Sequence, residues 1–84
     1  MKKIIDTKKF DNNIYTYYLV KNKINGIDVF GMQITKKKKH KIIEKKCVKN
    51  IFVNKEQALN TIINFSKNLV TPIALKEIVE DILI

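Results

Sequence analysis

Arginine and tryptophan are absent from this chain, and its 84 residues include one cysteine, one proline, one histidine and two glycines. A lone Cys47 rules out an intramolecular disulfide framework and suits a reducing compartment. No apolar run approaches the roughly 20 residues that span a bilayer. Met1-Lys2-Lys3-Ile4-Ile5 starts like a signal peptide, but its apolar stretch ends at Asp6. The expectation is a cytoplasmic protein that stays off the membrane. Gly26 and Gly31 alone cannot build a glycine-rich phosphate loop.

Lysine is what the chain has in excess. All 17 basic residues are Lys, against eight acids, for a formal charge of +9. The charge is uneven: residues 1–49 hold fourteen lysines and four acids, and residues 50–84 hold three and four. Without arginine there is no planar fork for bidentate contact with phosphate or guanine. Abundant Lys, Asn and Ile also fit an AT-rich coding sequence, which lowers the weight of lysine number alone.

The chain is organised around Ile14–Thr35, two β-rich runs joined at Asn25-Gly26. Asn-Gly between such runs is a strong hairpin signal, since a type I′ turn needs positive φ at both central residues. With that turn, Ile24 faces Ile27, Leu19 faces Met32 and Tyr17 faces Ile34. Strand alternation then gathers Tyr15, Tyr17, Leu19, Phe30, Met32 and Ile34 on one face. The other face carries Ile14, Thr16, Tyr18, Val20, Ile27, Val29 and Gln33, with Gly31 between the last two. A sheet with one wet face should alternate apolar and polar residues, and this one reads apolar on both sides. Either strand-forming residues simply favour strands, with Tyr18 covering the bare Gly31, or a partner covers the second face.

Lys36–Lys39 and His40 read as a basic loop, and Lys41–Val48 as a third strand whose register Ile42-Ile43 leaves open. Asn54, with Gln57 three residues on, is a helix N-cap pattern. Ala58, Leu59, Ile62, Ile63, Ser66 and Leu69 follow as one apolar stripe. Thr71-Pro72 starts a second helix, with Ile73, Leu75, Ile78, Val79, Ile82 and Leu83 as its stripe. The expected fold is α+β: a three-stranded antiparallel sheet followed by a two-helix hairpin packed on one face. Residues 1–84 make one domain, with 14–48 as sheet and 54–84 as helical hairpin. Residues 1–13 read as a short edge strand or as disordered.

Tyr15-Thr16-Tyr17-Tyr18-Leu19, Val29-Phe30-Gly31-Met32-Gln33-Ile34 and Thr71 to Leu83 together carry a family likeness. They resemble Tyr-x-Tyr-Tyr-x-Leu, Tyr-Gly-Ile-x-Ile and Val-x-Pro-x-x-Leu-x-Asp-Val-Ile-Glu-Asp, in that order, of small uncharacterised Gram-positive bacterial proteins. Phe30 before Gly31 and Glu77 in place of Asp are mild departures. The resemblance implies the domain boundary and no activity.

Catalytic chemistry needs a constellation that the sequence does not supply. His40 lies among lysines with no evident carboxylate to orient it, and reads as an exposed loop histidine. Cys47, with Lys45, Lys46 and Lys49 nearby, is either an activated thiol or a small buried hydrophobe. The two together make half a metal site at most. Glu77, Glu80 and Asp81 read as a solvated helix face or as a surface for a basic partner. The expectation is therefore a non-enzymatic interaction module without cofactor. It would self-associate as a homodimer, or bind a protein, through Ile14, Thr16, Tyr18, Val20, Ile27, Val29 and Gln33. The alternative is a nucleic-acid binder whose loop lysines Lys36, Lys37, Lys38, Lys39 and Lys41 contact phosphates.

Overall fold

A computed structural model describes residues 1–83, with side-chain surroundings through Asp81. Four strands are followed by two helices: β1 (Lys2–Phe10), β2 (Asn13–Ile24), β3 (Ile27–Lys38), β4 (Lys41–Phe52), α1 (Lys55–Lys67) and α2 (Pro72–Leu83). The sheet is an antiparallel meander in the order β1-β2-β3-β4. Three strands were expected, so the sheet is corrected to four. The N-terminal segment is a nine-residue strand paired from Lys2↔Val20 to Phe10↔Asn13.

Each hairpin closes through two residues of positive φ: Asp11-Asn12 (52°, 63°), Asn25-Gly26 (51°, 78°) and Lys39-His40 (50°, 67°). That is the type I′ geometry, whose twist matches the strands it joins. Gly, Asn and Asp adopt it readily and His to a lesser degree, whereas Lys does not. The pairing that continues to Lys38↔Lys41 holds the last turn in place. Changing Lys39→Asn together with His40→Gly should therefore stabilise the fold by about 1 kcal/mol. Thermal melting should register this as a rise of roughly 4–8 °C.

The β2–β3 register is the expected one, with Leu19↔Met32 and Tyr17↔Ile34. Tyr15, Tyr17, Leu19, Phe30, Met32 and Ile34 are buried under the helices with Phe52, Ala58, Ile62, Phe65, Leu75 and Val79. Tyr17 donates a hydrogen bond to the Val70 carbonyl (2.9 Å), tying the centre of the sheet to the link between the helices. Burial, then the neighbouring Tyr15 and Asp6, push the Tyr17 hydroxyl up from 10.0 to about 12. A raised tyrosine favours the neutral form in the fold. Its contribution is complete below pH 10 and disappears as pH rises through about 12. Tyr17→Phe leaves the Val70 carbonyl unpaired and should cost about 1–3 kcal/mol in urea unfolding at pH 7. The same variant should lose stability less steeply between pH 10 and 12 than the parent does.

Asn54 caps α1 by accepting from the Gln57 amide (3.0 Å), as its spacing suggests. The buried stripe of α1 is Ala58, Ile62, Phe65 and Ser66, whereas Ile63 is 40% exposed. Ile63 therefore leaves the expected stripe and Phe65 joins it. Leu69 (φ 50°) ends the helix in left-handed geometry, with Leu69 N–H on the Ser66 carbonyl and Val70 N–H on the Phe65 carbonyl. In α2, Leu75 and Val79 are buried, and Ile73 is 76% exposed. Ile73 sits two residues, about 200°, from Leu75 and cannot share its face. Ile82 and Leu83, expected on that stripe, lie beyond the residues whose side chains are described. α1 packs across β1–β3 and α2 along β3 and β4, and among the described residues no Cα of one helix comes within 8 Å of the other.

Candidate functional site

The helices occupy one face of the sheet. The other, helix-free face is where the sequence placed a partner site, and its makeup differs from that expectation. Val20, Val29 and Gln33 are buried (7%, 9% and 5% exposed), although no element lies over them. Thr16 and Tyr18 are half-buried, while Ile14 and Ile27 are exposed. Lys2 places its ammonium 5.2 Å from the Tyr18 ring centroid. Gly31 is covered by the β4 backbone at Val48–Lys49 rather than by Tyr18.

Register decides which lysines reach this face. Through Lys2↔Val20 and Lys9↔Ile14, β1 contributes Lys2 and Lys9. β3 contributes Lys37, opposite Ile14. On β4, Thr35↔Lys45 and Gln33↔Cys47 place Lys45 and Cys47 there, and alternation adds Lys49. The strand carboxylates Asp6, Asp28 and Glu44 all pair on the helix side, opposite Tyr17, Lys23 and Lys36. Among the described residues, then, the strands give the helix-free face five lysines and no acid. It carries two shallow depressions of about 340 Å³ each. One lies between Lys9, Lys37, Lys39 and His40 at the turn end; the other, between Lys2 and Lys49, has Val20, Gln33 and Cys47 in its lining.

The basic run expected as a loop is largely strand. β3 continues to Lys38, and the turn is Lys39-His40 alone. Alternation then divides the lysines between faces. Lys37 joins the helix-free side, while Lys36 lies on the helix side, 3.8 Å from Glu44 and 5.8 Å from the Tyr15 ring centroid. Lys38 and Lys41 are paired on that same side as the last rung. The five lysines expected to act together do not share a surface. Lys2, Lys9, Lys45 and Lys49 were not among the phosphate contacts expected from the sequence, because their face follows from pairings of β1 and β4 that no local pattern announces. β4 also bulges at Ile43, between Lys37↔Ile42 and Lys36↔Glu44, which resolves the double-isoleucine ambiguity.

His40 is exposed in its turn and Cys47 is half-buried. No three His, Cys, Asp or Glu side chains gather among the described residues in a way that could hold a metal ion. No helix is long and apolar enough to cross a membrane. On the helix side, Ser66 donates its hydroxyl hydrogen bond to Asp6, joining α1 to β1. That bond, with the Thr7 amide (2.8 Å) and Lys8 (3.6 Å), outweighs burial and holds the Asp6 carboxyl below its ordinary range. The ionised form is favoured in the fold, so this contribution is lost as pH falls through the depressed value.

No curated protein and no solved structure matches the chain. A family model matches it over residues 1–84, and the chain belongs to that family, a family of unknown function, DUF6514.

Proposed function

We propose that the protein is a non-enzymatic binding module that holds single-stranded nucleic acid across the helix-free face of its sheet. The observation that carries this reading is the charge of that face: Lys2, Lys9, Lys37, Lys45 and Lys49, with no strand carboxylate among them. Lysine ammoniums in that arrangement suit a run of phosphates, and the half-buried Tyr18 in central strand β2 offers a ring for stacking once Lys2 swings aside. A sheet face presents nothing to enter a duplex groove, and lysine without arginine favours the backbone over base edges. The predicted preference is for single strands, with little dependence on sequence.

The same face was expected to take a second copy or a protein through apolar contact. Val20, Val29 and Gln33 are already buried by their own neighbours, and the isoleucines left exposed on this face, Ile4, Ile14, Ile24, Ile27 and Ile42, stand among its lysines rather than as one apolar patch. Lysines facing lysines would oppose it further. A bacterial cytoplasm, reducing enough for the free Cys47 and rich in RNA, is the compartment this reading suits.

Fluorescence anisotropy with labelled single-stranded and duplex oligonucleotides tests it. Five neutralised phosphates on a single strand predict an affinity loss of about 100-fold between 50 and 200 mM salt. Absence of binding at 50 mM salt would remove this reading.

A further inference from the structure

β4 is one of the two edges of the sheet, and α2 runs beside it. Between them lies a groove of about 720 Å³, bordered by Ile43, Lys45 and Lys46 on the strand and by Ile73, Lys76 and Glu80 on the helix. Its apolar members are accessible, Ile43 at 47% and Ile73 at 76% exposed. From Ile73 to Glu80 the helix rises about 10 Å, and three or four strand residues cover about the same length. The two walls therefore run alongside each other for the length of a short extended segment. β4 pairs regularly with β3 from Glu44 to Val48, between a bulge at Ile43 and an irregularity near Gly31.

We infer that this groove binds an extended acidic peptide, which adds to β4 as a fifth strand and alternates apolar with carboxylate side chains. Main-chain hydrogen bonds to an unpaired edge supply affinity, and the alternate side chains supply selectivity. Side chains directed to the helix side enter between Ile43 and Ile73. Those directed to the other side meet Lys45 and Lys49. Charge selects the occupant. Glu44 is 3.8 Å from Lys36, and Glu80 is 3.9 Å from Lys76, so among the described residues the unpaired lysines Lys45, Lys46 and Lys49 outnumber the one remaining groove acid, Glu77. The same lysines disfavour a second copy, whose β4 would bring Lys41, Lys45, Lys46 and Lys49 against themselves. The opposite edge is less suited: β1 is interrupted at Ile4/Asp6, and Asp6 turns toward Ser66 on the helix side.

The probe is a fluorescein-labelled heptapeptide alternating glutamate with isoleucine or valine. Its controls are an isomer of equal composition with the apolar residues in one block, and a version N-methylated on alternate amides. Saturable binding by the alternating peptide is expected, at least tenfold weaker for both controls. Ile73→Asp and Lys46→Glu, both at exposed positions, should each weaken it at least tenfold without altering the circular dichroism. Lys2→Gln with Lys9→Gln and Lys37→Gln should spare peptide binding while weakening oligonucleotide binding, so that the two sites fail or stand independently. Equal binding of the isomer or the N-methylated peptide would reduce the effect to net charge and overturn the inference. So would no binding at millimolar peptide, or a dimer in sedimentation that Ile73→Asp dissociates, since a second copy would then fill the groove.

Discussion

Gly31→Ala should lose about 3 kcal/mol of stability or more, the upper end of what overpacking costs. Gly31 lies in β3 opposite Val20, where β4 closes in from the other side. A Cβ there would sit 2.1 Å from the Val48 carbonyl oxygen and 2.8 Å from the Lys49 Cα. Both neighbours are backbone, so no side chain can rotate away, and β4 would have to leave its register. An 84-residue domain has about 4–13 kcal/mol in total, so the variant should melt roughly 12–24 °C lower or not fold at all. The other glycine provides a contrast. Gly26 has φ +78° and open space around it, so Gly26→Ala should cost only about 1 kcal/mol of backbone strain. If both variants melted alike, β4 could not lie where it is placed.

Leu75→Ala should cost about 2–5 kcal/mol, because the leucine is fully buried and its removal leaves a cavity. Leu75 and Val79 are the described buried aliphatic side chains through which α2 holds to β3 and β4. Urea unfolding should show a lower midpoint with an unchanged slope. Hydrogen exchange should show α2 amides losing protection before those of β2 and β3. Ile73→Ala should change stability by less than about 0.5 kcal/mol, as surface substitutions do. The pair separates the observed stripe from the one that counts every apolar residue of the helix. Since α2 forms one wall of the peptide groove, Leu75→Ala should also weaken peptide binding at temperatures where oligonucleotide binding persists.

These residues also mark how much was legible beforehand. The β2–β3 register followed from Asn25-Gly26 alone, because only one turn geometry fits that pair and alternation then fixes both faces. β1 carried no such signal. Its lysines and isoleucines occupy both faces of an edge strand, so hydrophobic alternation is absent, and pairing with β2 determines its conformation. Lys39-His40 could not be recognised as a turn from propensity, since Lys does not favour positive φ and the pair lacks the Asn, Asp or Gly that marks a type I′ turn. Phe65 replaced Ile63 in the helix stripe because both fit a 3.6-residue period and only docking sets the rotation. The character of the helix-free face was the largest change. β2 and β3 read alone present an apolar surface. Adding β1 and β4 surrounds Val20, Val29 and Gln33 with lysines, and that information lies in non-local pairing.

The central claim is that these lysines act together on one phosphate chain. The most direct measurement is the salt dependence of single-strand binding for the parent and for the variant carrying Lys2→Gln, Lys9→Gln and Lys37→Gln. The account predicts a log–log slope of about −3.5 for the parent, made shallower by about 2 in the variant. Equal slopes would mean that the helix-free face does not carry the contacts, and would contradict it.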